Sequence, residues 1–180
     1  MNQITVQNAK SRPLLAPVSR STPFKSAYSS MRNYKWLCFN LFIGSNGDTD
    51  VTAGLMQAKN VTGASDKELI IRNGQVFECD AAASAESDKD KWVETALTNS
   101  GAAGSVIPIN GLDNMWYKIY VHNDFLDVDN DFDCVAVQIY NTSAACLTAV
   151  WVDGIEPRFS GDPSDYRQTP SMAHDAGDKF

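Results

Sequence analysis

Two imidazoles, four thiols and one run of acids are the groups in this 180-residue chain whose chemistry can be tested first. Zinc binding needs ligands in closely spaced pairs. Cys38, Cys79, Cys134 and Cys146 are far apart, form no C-x-x-C pair and have hardly any histidine nearby. Cys38, Cys134 and Cys146 sit inside apolar runs, where a reduced cysteine packs as a small hydrophobe. That usage fits synthesis in a cytosol. The run Asp127-Val128-Asp129-Asn130-Asp131-Phe132-Asp133 offers hard oxygen ligands for calcium. An EF-hand loop requires glycine at its sixth position and glutamate at its twelfth, between two helices. Phe132 and Gln138 stand there instead, between strand-like runs, so the segment reads as a solvated acidic turn with no metal.

Covalent catalysis has no better footing. His174 lies in a polar C-terminal stretch, and His122 could be matched only with a distant cysteine. No G-x-S-x-G, G-x-G-x-x-G or Walker loop occurs. The 22 acids permit a carboxylate pair somewhere, but no spacing singles one out. Trp36, Trp92, Trp116 and Trp151 could stack on a sugar, yet three of the four lie in strand-like runs and read as core. The residues therefore predict a protein that is not an enzyme and uses no cofactor and no metal.

The elements that would carry these residues divide by charge. Residues 1–33 hold Lys10, Arg12, Arg20, Lys25 and Arg32 and no acid, since the first acid is Asp48. Residues 34–180 hold ten bases and all 22 acids, a balance of −12 against +5 for the leader. Pro13, Pro17 and Pro23 exclude helix from the leader, and Leu14, Leu15, Val18, Phe24 and Tyr28 are spaced as anchors of an extended peptide. Residues 1–33 are thus expected to be an extended arm whose Arg12, Leu14, Leu15, Arg20, Phe24, Lys25, Tyr28 and Arg32 meet a partner. Its removal is expected to leave a folded body. Tyr166 and Phe180 are further expected contacts in a tail over residues 160–180.

Residues 34–159 read as strands. Residues 114–122 alternate with a period of two, residues 133–141 place Val135, Val137 and Ile139 on one face, and residues 145–152 alternate again. Residues 34–43 and 50–58 flank a Gly/Ser/Asn/Asp cluster, and residues 68–71 and 75–79 flank Asn73-Gly74; both pairs predict hairpins. Residues 81–90 read as a loop, and residues 91–97 as a strand or a helical turn. Residues 104–109 read as an edge strand, because Pro108 lacks a donor. About eight short strands at this spacing predict an all-β fold, an antiparallel β-sandwich or jelly roll. The longest apolar stretch, residues 36–43, is far below the ~20 residues of a membrane helix.

Three segments of this body carry a family resemblance. Val51-Thr52-Ala53-Gly54-Leu55-Met56-Gln57-Ala58 precedes a small polar loop over residues 62–67. An acidic loop leads into Phe132-Asp133-Cys134-Val135-Ala136-Val137-Gln138-Ile139-Tyr140. A last apolar strand over residues 145–152 runs through Gly154 to Pro157-Arg158-Phe159. Together, over residues 34–159, they resemble the capsid cement and decoration proteins of tailed bacteriophages; the long arm and the tail depart from that pattern. The resemblance implies a jelly-roll virion protein on the phage head surface, made in the host cytoplasm. Its partners would be the major capsid protein lattice, which it stabilises, and itself, as a homotrimer. A membrane is not an expected partner. Nor is nucleic acid, since a body at −12 repels phosphate. The alternatives are another virion component, such as a neck or tail protein or a small jelly-roll coat protein, and a carbohydrate-binding adhesion module.

Overall fold

The strand Met115–His122 shows how this sequence builds its layers. Met115, Tyr117, Ile119 and Val121 enter the core, while Trp116, Lys118, Tyr120 and His122 take the opposite face. A computed structural model of the chain describes residues 10–47, 51–80, 91–100, 104–109, 113–140 and 144–157. The expected loop over residues 81–90, and the tail with Tyr166 and Phe180, lie outside the described residues.

Within them the fold is an all-β sandwich of two sheets, and every pairing is antiparallel. Numbered in chain order, the six-stranded sheet runs β1 (Lys10–Arg20), β13 (Cys146–Pro157), β4 (Tyr34–Asn46), β11 (Met115–His122), β7 (Val76–Asp80), β8 (Val93–Glu94). The seven-stranded sheet runs β2 (Phe24–Lys25), β12 (Cys134–Tyr140), β5 (Thr52–Ala58), β10 (Gly104–Pro108), β9 (Thr98–Ser100). Two short strands join it, β3 (Ser29–Ser30) on β12 and β6 (Lys67–Leu69) on β5. Leu37, Phe39, Leu41 and Ile43 from the first sheet share one core with Ala53, Leu55, Val135, Val137 and Ile139 from the second.

Both expected hairpins are instead arches between the sheets. β4 pairs with β13 and β11, whereas the next strand, β5, pairs with β12, β10 and β6. Likewise β6 and β7 belong to different sheets, although Gly74 does adopt the left-handed turn conformation at φ +79°. Burial does not choose between the two: strands of either sheet present their alternate apolar residues to the one core, so the same pattern and the same turn residues serve a hairpin or an arch. Residues 104–109 do not form an edge either, because β10 pairs with β9 at one end and with β5 at the other.

The largest departure concerns the leader. From Lys10 to Ser30 it supplies strands to both sheets, so the body begins before residue 34. β1 lies along β13, β2 and β3 lie along β12, and the Ala27 N–H donates to the Leu14 carbonyl at 3.0 Å. That bond links the two sheet edges and closes one side of the sandwich. The anchors spaced along the sequence are real, but their dock is the chain's own core: Leu14 and Phe24 belong to it, and Leu15 and Val18 pack against it.

Candidate interaction surface

Of the residues expected to meet a partner, the structure uses most internally. Leu14, Phe24 and Tyr28 are buried. Tyr28 lies on the outer side of the seven-stranded sheet, over a floor of small residues formed by Ala58, Cys134 and Ala136. Its hydroxyl donates to Asp66 Oδ2 at 2.8 Å, and burial followed by this carboxylate pushes the phenol well above its ordinary range. Gly63 fits beneath the ring, with φ +83° and no room for a Cβ, which would meet Tyr28 at 2.8 Å.

The basic residues of the leader serve the same closure. Lys25 pairs with Asp66 and Arg32 with Asp133. Lys25 and then Tyr28 hold the Asp66 carboxyl below its ordinary value. Arg20 places its guanidinium 5.6 Å from the centroid of Phe24. Arg12 is half-buried on β1. Two positive charges of the leader thus meet acidic loops of its own body, and the +5/−12 division describes intramolecular pairing at these points.

The acidic run is similarly engaged. Asp127 accepts from Lys67 and from Asn130 Nδ2, and these donors keep its carboxyl below the ordinary range. Asp133 accepts from Arg32 and from the Cys134 thiol. Burial, with Asp133 beside it, pushes the Cys134 thiol up to about 12. Burial also pushes Cys38 up to about 11. Among the described residues no group of three or more His, Cys, Asp or Glu side chains is placed to hold a metal ion. No helix among them is long and apolar enough to cross a membrane.

The surface that sequence reasoning missed is the outer face of the six-stranded sheet. Trp36, Trp116 and Trp151 do lie in strands, but on the face opposite the core, and they are half-buried. Trp116 and Trp151 meet edge-on with centroids 5.1 Å apart, and Phe42 meets Trp116 at 5.8 Å. Phe77 and Tyr120 form another edge-on pair at 6.1 Å, and the Lys118 ammonium lies 4.4 Å from the centroid of Trp92. At one end of the face Trp36 packs on His122, whose Nδ1 accepts from the Asp124 N–H at 3.3 Å. A polar row crosses the face: Asp153 accepts from Ser11 and from Asn40 Nδ2. Trp116 Nε1 is enclosed and has no acceptor among the described residues. The signal for this surface was present in the alternation itself. Among the non-core positions of β11 and β4 stand Trp36, Phe42, Trp116 and Tyr120, where an antiparallel sheet facing water ordinarily carries polar residues.

Comparison with known proteins adds little. No protein-family model matches the chain, and no curated protein matches it. Among solved structures, the SPBc2 prophage-derived protein YomS is similar at a TM-score of 0.38 and 8% identity, over 82% of this chain and 94% of that one. A likeness at that level carries no argument about function.

Proposed function

We propose that the protein is a virion structural protein that decorates and stabilises a tailed-phage capsid, binding the major capsid protein lattice as a homotrimer. The observation that carries this reading is the aromatic outer face of the six-stranded sheet. Tryptophan and tyrosine are the residues that most often dominate the energy of protein interfaces, because they bring large area at small entropic cost. Here they stand on strands locked by a shared core, so little ordering is required when a partner docks. The resemblance of residues 34–159 to cement proteins supplies the identity of the partner. Three such faces on one trimer, each modest in affinity, would give tight attachment through avidity.

The test is addition of the purified chain to undecorated heads. The heads should bind it saturably and melt at a higher temperature, and Trp116→Ser/Trp151→Ser should weaken attachment at least about tenfold while the far-UV spectrum is unchanged. Heads whose melting is unaffected, together with saturable binding to a glycan array, would replace this reading with the adhesion module.

A further inference from the structure

A second surface lies where the chain crosses from β6 to β7. A groove of about 330 Å³ opens between residues 67–72 and the short 3-10 turn Asn123–Phe125. One wall presents Ile70, which is 60% exposed, and Phe125 lines the groove as well. Phe125 is fixed by edge-on contacts to Trp36 and His122 at 6.2 and 5.9 Å. The Arg72 guanidinium lies 5.4 Å from the centroid of that ring.

The charges around the groove are not equivalent. Lys67 is paired with Asp127. Glu68 accepts from the Tyr140 hydroxyl at 3.2 Å, and Asp124 faces the Asn123 amide and His122 at 3.0 and 3.3 Å. Arg72 differs: its guanidinium has no carboxylate within 4.0 Å among the described residues, and its only contact of this kind is with Phe125. An arginine placed over an aromatic ring still offers its planar fork of N–H donors, shaped for two carboxylate oxygens. Beside it, an exposed isoleucine favours an apolar group. Across from it, the largely exposed Asp124 repels a dianion but can accept a peptide N–H.

We propose that this groove binds an extended segment of a partner protein in which a carboxylate side chain stands next to an apolar one. The carboxylate pairs with Arg72, the apolar side chain covers Ile70 and Phe125, and a backbone N–H meets Asp124. The inference does not rest on the decoration role: the groups that meet the segment, Ile70, Arg72, Phe125 and Asp124, are not those that carry that role, although Trp36 and His122 of the aromatic face buttress Phe125.

Isotope-labelled full-length protein titrated with N-acetyl-Asp-Leu-amide tests it by NMR. Shifts should concentrate at Ile70, Arg72 and Phe125, and the Asn-Leu counterpart should bind about tenfold more weakly or worse, since charge-assisted hydrogen bonds are the strong ones. Arg72→Gln should erase that preference while leaving the rest of the spectrum in place, because Arg72 is exposed and outside the core. Equal binding of the two peptides, a preference that survives Arg72→Gln, or shifts centred elsewhere would overturn the proposal. Inorganic phosphate binding as tightly as the acidic peptide would reduce the groove to a bare anion site and overturn it too.

Discussion

Phe24→Ala separates a leader that belongs to the domain from one that waits for a partner. Phe24 is 6% exposed, pairs with Ile139 through β2 and β12, and sits in the main core. Truncating a buried phenylalanine costs about 3–5 kcal/mol, transfer and cavity together. In a free arm the same change would stay within roughly 0.5 kcal/mol. Against a net stability of about 5–15 kcal/mol the expected loss is large. At roughly 2–4 °C per kcal/mol for a chain of this size, it corresponds to a melting temperature lower by about 6–20 °C. Urea unfolding followed by tryptophan fluorescence and by far-UV circular dichroism gives the number directly, provided the slope is unchanged between variants. A loss below about 1 kcal/mol would refute the placement of residues 10–30 in the sheets. The same reasoning reverses the expectation for the leader's removal. Leu14, Phe24, Tyr28 and Met31 are all buried, and at about 1.5–3 kcal/mol each their burial is comparable to the whole net stability. Deletion of residues 1–33 should therefore unfold the domain or expose β12 and β13 as aggregating edges.

Three further outcomes follow from close contacts and titrating groups. A Cβ at Gly154 would lie 2.4 Å from the buried Tyr34 ring, so Gly154→Ala should cost at least about 1–3 kcal/mol in urea unfolding; an unchanged midpoint would contradict the packing of β13 on β4. Asp66 has its folded pKa lowered by Lys25 and Tyr28, so its contribution is complete above about pH 4 and is lost as pH falls through the lowered value. The pair is partly exposed, so Asp66→Asn should destabilise by only about 0.5–1 kcal/mol at pH 7, a difference that should shrink as pH falls through the lowered value; a difference unchanged by acid would contradict it. Burial keeps the Cys38 and Cys134 thiols protonated at neutral pH, so iodoacetamide should label them in urea and spare them in the native protein; stoichiometric native labelling would disprove their burial.

Periodicity made the strands legible, but not their partners. The alternation of residues 115–122 survives residue by residue, and β4, β12 and β13 fall where apolar runs place them. Turn residues announce that a strand has ended. They do not say whether the chain folds back in the same sheet or arches to the other, and the segments around Gly47 and Asn73-Gly74 do the latter. The leader departs from its expected role for a related reason. Proline and serine exclude helix, but β1 keeps Pro13 and Pro17 because a sheet edge tolerates missing donors. Its anchors point to a dock without saying that the dock is the same molecule. The aromatic face was hidden because a tryptophan in a strand reads as core, whereas Trp36, Trp116 and Trp151 occupy the opposite parity. Arg72 carries no sequence signal at all; its position over Phe125 is set by the crossing from β6 to β7.

The claim that this chain is a capsid decoration protein acting through its aromatic sheet face is tested most directly by electron cryomicroscopy of heads incubated with it. Three-fold clusters of the sandwich are expected on the lattice, with Trp36, Trp116 and Trp151 toward the capsid protein. Heads left bare at saturating protein, or a sandwich seated by its seven-stranded sheet, would contradict it.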